Sequence, residues 1–364
     1  MMKKSYRYRL SVLIAICLVL SVCLSESSSA SAAPVQRPEL NLPRTPQVIG
    51  THGSATWFYL VGSGIASVVS DHSGMRAMVQ PYAGPSAWIP DLASGAISFG
   101  VISYTEAAFT YFANFEGVPV TPKMRQVMRG NTATNIGWIA AVDSEINKLS
   151  DMRGKVIAGS YGGTLFTLAL LTAELDSVGL TWDDVTVVPV SDVSTGLVLL
   201  GEGTVLACSG GTATQATTVE LDRKTKLQIL PFGELTPEDI KDGVPDWCKV
   251  VLERHLPGTT LVVQQPMGIQ MEPTVVYSYP MMLASSTNIS DDVVYAVLAA
   301  CYDHNAELVQ IDNWLRDWTI ANMFDPDFPL PYHNGAIRFY KELGLWDDAA
   351  QARQDYLLAL MGEE

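Results

Sequence analysis

The chain has 364 residues, of which 48% are hydrophobic and 17% charged, and a formal net charge of −15. That apolar content is globular and excludes a disordered chain, and the length holds two domains of about 150 residues each. The acidic balance excludes nucleic acid and anionic membrane surfaces as partners, but a local pocket can oppose the global sign.

The first 32 residues read as a signal peptide. Lys3, Lys4, Arg7 and Arg9 form a basic start, and Leu10 to Leu20 is an apolar run broken only by Ser11. Ala30-Ser31-Ala32 then gives the small-x-small pattern of a cleavage site. The apolar run is shorter than the ~20 residues of a spanning helix, and Val22 before Cys23 is a poor fit to lipoprotein processing. Cleavage after Ala32 or Ala33 and a periplasmic product are expected. Residues 33–47, with Pro34, Pro38, Pro43 and Pro46, read as an extended linker.

From Val48 the pattern becomes strand, glycine-rich turn, helix. Gln47–Gly50 predicts a short strand, and Val61, Ile65, Val68 and Val69 recur at helical spacing after it. A helix begins near Ser86 and stops at Gly95. Ile97–Ser103 is almost continuously apolar, as strands buried on both faces are. The same grammar returns in the middle: strand Lys155–Ala158, turn Gly159–Gly163, helix Thr164–Val178 with Gly179 as its stop. Thr181 and Asp184 cap a short turn before strand Val185–Pro189, and strand Val205–Cys208 runs into Ser209-Gly210-Gly211-Thr212. Thr236-Pro237-Glu238-Asp239 starts a helix with proline at its first position. Val275–Ala284 is an uninterrupted apolar strand, and Ser290-Asp291-Asp292 starts the next helix with carboxylates at its positive end. Helices around Asp303–Asn322 and Ala336–Leu343 close the chain.

Alternating strands and helices predict an α/β, doubly wound architecture in two lobes joined by a hinge. The first lobe is expected over residues 48–134 and the second over 135–273. Residues 274–364 supply a return strand and C-terminal helices that complete the first lobe. Ile136–Val142 and Val275–Ala284 read as the crossing strands. Past the signal segment only Cys208, Cys248 and Cys301 remain, so one disulfide is the most that can form and the fold is not stapled.

Several segments carry a family resemblance. Ile49-Gly50-Thr51-His52-Gly53-Ser54-Ala55-Thr56-Trp57-Phe58-Tyr59-Leu60-Val61-Gly62 resembles the opening signature of the TAXI solute-binding proteins of tripartite TRAP transporters. Val79–Gly84 through Asp91–Gly95 resembles that family's second loop. Leu149–Lys155, with the turn Gly159–Thr164, resembles its entry to the second lobe, and Gly179–Val185 the next junction. His333–Trp346 resembles its tail motif. His52, Ala55 and Trp57 depart from the family, which has glycine and smaller residues there. The resemblance implies a type II two-lobe periplasmic binding fold without catalysis. It also implies a small organic ligand, an organic acid or amino acid, and the membrane permease subunits of a TRAP-type transporter as partner.

The ligand site is expected between the turns of the two lobes. From the first lobe it draws Thr51, His52, Ser54, Trp57, Tyr59, Tyr82 and Gly84; from the second, Ser160, Tyr161, Gly162, Thr164 and Ser209. No Lys or Arg falls in these turns, so backbone N–H groups and hydroxyls are expected to hold an anionic group at the helix starts. No cofactor is expected, and no metal, since the histidines are far apart in sequence. A competing reading takes Ala158-x-Ser160-x-Gly162 as a hydrolase nucleophile elbow. His255, His304 or His333, beside Glu253, Asp303 or Glu307, would then supply the base and acid.

Overall fold

A computed structural model describes residues 37–112, 116–117 and 119–362; the expected signal segment lies outside them. Residues Leu40–Glu364 form one compact unit. In chain order it begins with β1 (Gln47–Thr51), α1 (Trp57–His72), β2 (Ala77–Pro81), α2 (Pro85–Ser94), β3 (Phe99–Ser103), α3 (Tyr104–Phe112) and β4 (Met124–Asn135). There follow β5 (Trp138–Ala141), β6 (Val156–Gly159), α4 (Leu165–Ser177), β7 (Thr186–Pro189), α5 (Val193–Gly201), β8 (Ala207–Ser209), α6 (Ala216–Lys224) and β9 (Leu227–Leu230). The chain then continues through α7 (Asp246–His255), β10 (Thr260–Gln264) and β11 (Thr274–Ser286). It closes with α8 (Asp291–Asp303), α9 (Asn305–Ile311), α10 (Ile320–Met323), α11 (Asn334–Glu342) and α12 (Asp348–Leu360).

Two sheets define two lobes. The first has the order β10-β11-β3-β1-β2, with β4 also on β11; the second has the order β7-β6-β8-β5-β9. Their core strand order is the same. In each, a central strand (β1 or β6) pairs in parallel with two neighbours, and an antiparallel strand (β11 or β5) follows on one side. Strand order reverses at β1 and at β6. Such reversals open a crevice at the carboxyl ends of the strands.

The apolar patterning builds these layers. Every residue of β3 is buried, as its continuous run requires, and Val61, Ile65, Val68 and Val69 form the buried face of α1. Gly95 ends α2 in a left-handed conformation, φ 83°. Thr181 and Asp184 form a capping box, and Ser290 caps α8 by accepting from the Val293 amide.

The crossings differ from expectation. Val275–Ala284 lies within β11, which stays in the first sheet between β10 and β4, so it does not cross. The crossing is made by the turn from β4 into β5, where Asn135 Oδ1 accepts the Gly137 amide at 2.9 Å. Gly137 has φ 66°, and a Cβ there would lie 1.9 Å from Glu174 Oε1, so both conformation and space require glycine. β10 falls within residues 135–273 yet pairs with β11 in the first sheet; the return crossing therefore lies between β9 and β10. The helix expected over Asp303–Asn322 is broken into α9, a 3-10 turn and α10. Asp312 adopts an extended conformation and caps Trp314 instead of continuing the helix.

The described cysteines, Cys208, Cys248 and Cys301, are buried and free. Among the described residues no helix is long and apolar enough to cross a membrane.

Candidate functional site

A cavity of about 310 Å³ lies at the carboxyl ends of the strands of both sheets. The loop after β1 contributes His52 to Thr56, and α1 adds Trp57 and Phe58. Tyr82 and Ala83 follow β2, and Ser103 and Glu106 stand at the junction of β3 and α3. From the second lobe come Thr164, Phe166 and Thr167 at the start of α4, Asp192 to Ser194 at the start of α5, and Gly211, Thr212 and Gln215 after β8. Asn135 and Tyr279 line it from the crossing turn and β11.

The lobes touch beside this cavity. The Ser86 amide donates to the Gly163 carbonyl at 3.3 Å, and Phe166 meets Tyr279 edge-on with centroids 4.6 Å apart. One wall is aromatic: His52 stacks on Phe58 at 3.8 Å, and Phe58 on Trp57 at 4.0 Å. Trp57 is backed in turn by Trp314 at 5.0 Å.

The charged groups are acidic. Glu106 is buried, accepts the Phe166 backbone amide, and is pushed up to about 8 by desolvation. Its Oε1 has no hydrogen-bond partner, nor have His52 Nε2 and Thr212 Oγ1. Burial holds His52 down to about 3 even though the nearby Asp192 carboxylate opposes that shift, so the imidazole is neutral near pH 7. Asp192 caps α5, accepting the Thr195 amide at 2.9 Å. Among the described residues no Lys or Arg lines the cavity.

His52, Ser54, Trp57, Tyr82 and Thr164, all named from the sequence, line this cavity. Tyr82 presents its ring, because its hydroxyl donates to Asp91 at 2.7 Å. Thr51, Tyr59, Gly84, Ser160, Tyr161, Gly162 and Ser209 do not line it. Thr51 is buried and its hydroxyl donates to the His52 carbonyl. Tyr59 lies along α1 beyond the cavity, and Gly84 packs against Gly163.

The glycine turn after β6 is occupied by its own lobe. The amides of Gly162, Gly163 and Thr164 donate to Val190, Ser191 and Tyr161 carbonyls at 3.3, 2.8 and 2.9 Å. They are not open to an anion, contrary to the sequence expectation. Tyr161 is buried, and its hydroxyl accepts the Ser209 amide at 2.8 Å. Ser160 is exposed and left-handed, with φ 71°.

The histidines of the hydrolase reading are placed elsewhere. His255 bonds Asp176 at 2.9 Å, His304 stacks on His72, and His333 bonds the Ile289 carbonyl. His72, His304 and Glu307 bring their ligand atoms within 4.8 Å of one another outside the cavity. Distance along the chain therefore did not keep the histidines apart, because α1 packs on α9.

Glu106, Asn135, Phe166, Thr167, Asp192, Ser194, Thr212, Gln215 and Tyr279 were not among the expected site residues. The only sequence signal for several of them is position: each of Glu106, Asp192 and Thr212 falls a few residues after an apolar strand.

Fold and site together define a two-lobed α/β protein with a small cavity at the meeting of its lobes. The chain matches the NMT1-like family over residues 49–344 and belongs to that family. No curated protein matches it. Among solved structures it is similar to a periplasmic transporter (13% identity, 87% of this chain and 97% of the other, TM-score 0.48). It is also similar to the periplasmic aliphatic sulphonate binding protein SsuA from Escherichia coli (11% identity, 87% and 80%, TM-score 0.42). A third is a TctC solute binding protein from Polaromonas (14% identity, 88% and 99%, TM-score 0.42).

Proposed function

We propose that this protein is an extracytoplasmic solute-binding receptor. It captures one small organic ligand between its lobes and delivers it to a membrane permease, with no catalysis of its own. The observation that carries this reading is the cavity itself. It is built by loops of both lobes, it is of ligand size, and it holds buried polar atoms without protein partners. Buried polar groups are ordinarily hydrogen-bonded, so a ligand supplies what the fold leaves out. The resemblance to solute-binding proteins in the opening and tail segments supports the same reading, as do the expected signal segment and periplasmic location.

The partner we propose is a TRAP-type permease, on the TAXI resemblance, and the competing partner is an ATP-driven importer. Co-purification from detergent-solubilised membranes with a large multi-span permease supports the first, and with an ATPase the second. The ligand-capture reading is tested by a thermal-shift screen of small organic acids, amino acids and amines. A ligand at 100 times its dissociation constant stabilises the protein by about 2.7 kcal/mol. A screen without any stabilising compound counts against it.

A further inference from the structure

We propose that the ligand of this cavity carries a positively charged nitrogen, held by the carboxyls of Glu106 and Asp192. The inference rests on the receptor reading above and narrows the ligand class.

The titratable groups facing the cavity are His52 from the loop after β1, Tyr82 after β2, Glu106 from α3, Asp192 at the start of α5, and Tyr279 from β11. None supplies a positive charge, because burial keeps the His52 imidazole neutral. An anion would seek the positive helix starts, but those of α4 and α5 are already taken. Glu106 receives an amide at the start of α4, and Asp192 does the same at the start of α5. The amides of the Gly162–Thr164 turn are spent on carbonyls of their own lobe. An incoming carboxylate or sulfonate would meet two carboxyls and no cation.

Glu106 Oε1, His52 Nε2 and Thr212 Oγ1 can each accept a hydrogen bond, and all three are buried and unpartnered. An ammonium or guanidinium group offers several donors with a charge that compensates the buried carboxyl. With the cavity empty, burial keeps Glu106 protonated at neutral pH. Binding a cation ionises it, and its proton leaves to solvent.

The test is calorimetric titration of the full mature chain with putrescine, agmatine and choline, set against succinate, malate and ethanesulfonate. We expect an amine to bind, with affinity rising up to about tenfold per pH unit from 6 to 8 and a proton released on binding. Glu106→Gln should weaken that amine at least tenfold and flatten the pH dependence. Asp192→Asn should weaken it as well, which keeps the test intact if the Glu106 variant fails to fold. Binding of the carboxylates or the sulfonate without any amine overturns this inference while leaving the receptor reading in place. Binding of neither panel overturns both.

Discussion

The amide of Ser86, on the first lobe, donates to the carbonyl of Gly163, on the second, at 3.3 Å. This contact is possible because Gly84, two residues earlier, has no side chain. A Cβ on Gly84 would lie 2.2 Å from the same carbonyl oxygen, well inside van der Waals contact. Gly84→Val should therefore hold the lobes apart without disturbing either core. We expect ligand affinity to fall at least tenfold and the radius of gyration by X-ray scattering to stay at the open value when ligand is added. A variant that closes and binds normally would show that the contact does not matter.

Tyr161 supports the second lobe from outside the cavity. Its buried hydroxyl accepts the Ser209 amide at 2.8 Å, and removing it strands a buried donor. Tyr161→Phe should cost about 1–3 kcal/mol of stability in denaturant unfolding. Ligand affinity, measured where the variant is folded, should change less than threefold.

Ser160 is exposed, outside the cavity and left-handed at φ 71°. A non-glycine residue costs about 1–2 kcal/mol in that conformation. Ser160→Gly should therefore raise stability by up to about 1 kcal/mol, after the entropy of the added glycine is subtracted. Ser160→Ala should leave ligand binding intact. Loss of binding in Ser160→Ala would return this residue to the site.

Glu106 should give the empty protein a pH signature. Its carboxyl is raised in the folded state to about 8 from 4.5, so the folded state holds a proton the unfolded state has lost. Its contribution to stability is complete below about pH 4.5 and is lost as pH rises through about 8, by about 1.4 kcal/mol per pH unit at most. His52 has the opposite slope: lowered from 6.5 to about 3, it favours folding above pH 6.5 and loses that contribution as pH falls. Glu106→Gln should flatten the fall between pH 5 and 8 in denaturant midpoints, and His52→Gln the fall below pH 6.5. An unchanged profile in Glu106→Gln would place the burial effect on another group.

The two-lobed α/β class, strands β1, β3, β5, β6, β7, β8 and β11 and helices α1, α2, α4, α8 and α11 were legible because apolar runs and caps are local. β4 was not: its buried Gln126 and Asn131 break the apolar pattern, and their partners Tyr104, Tyr332 and Trp318 lie far along the chain. The loop after β1 could be placed near the site because turns after parallel strands face the crevice. Glu106 could not, since a carboxylate in the first turn of a helix reads as an ordinary dipole partner. Only the fold shows that it is buried against α4. The glycine turn after β6 misled for the same reason, because the carbonyls that consume its amides come from residues 190 and 191.

A receptor of this design binds its ligand in the cavity between the lobes. Ser194 lines it from the start of α5 and is only half-buried, so Ser194→Trp should fill it without disturbing the core. The deciding measurement is the unfolding midpoint of the wild type and of this variant, each with and without the tightest compound from the screen at 100 times its wild-type dissociation constant. Stabilisation by about 2.7 kcal/mol is expected in the wild type and none in Ser194→Trp. Equal stabilisation of both would place the ligand elsewhere and contradict binding in this cavity.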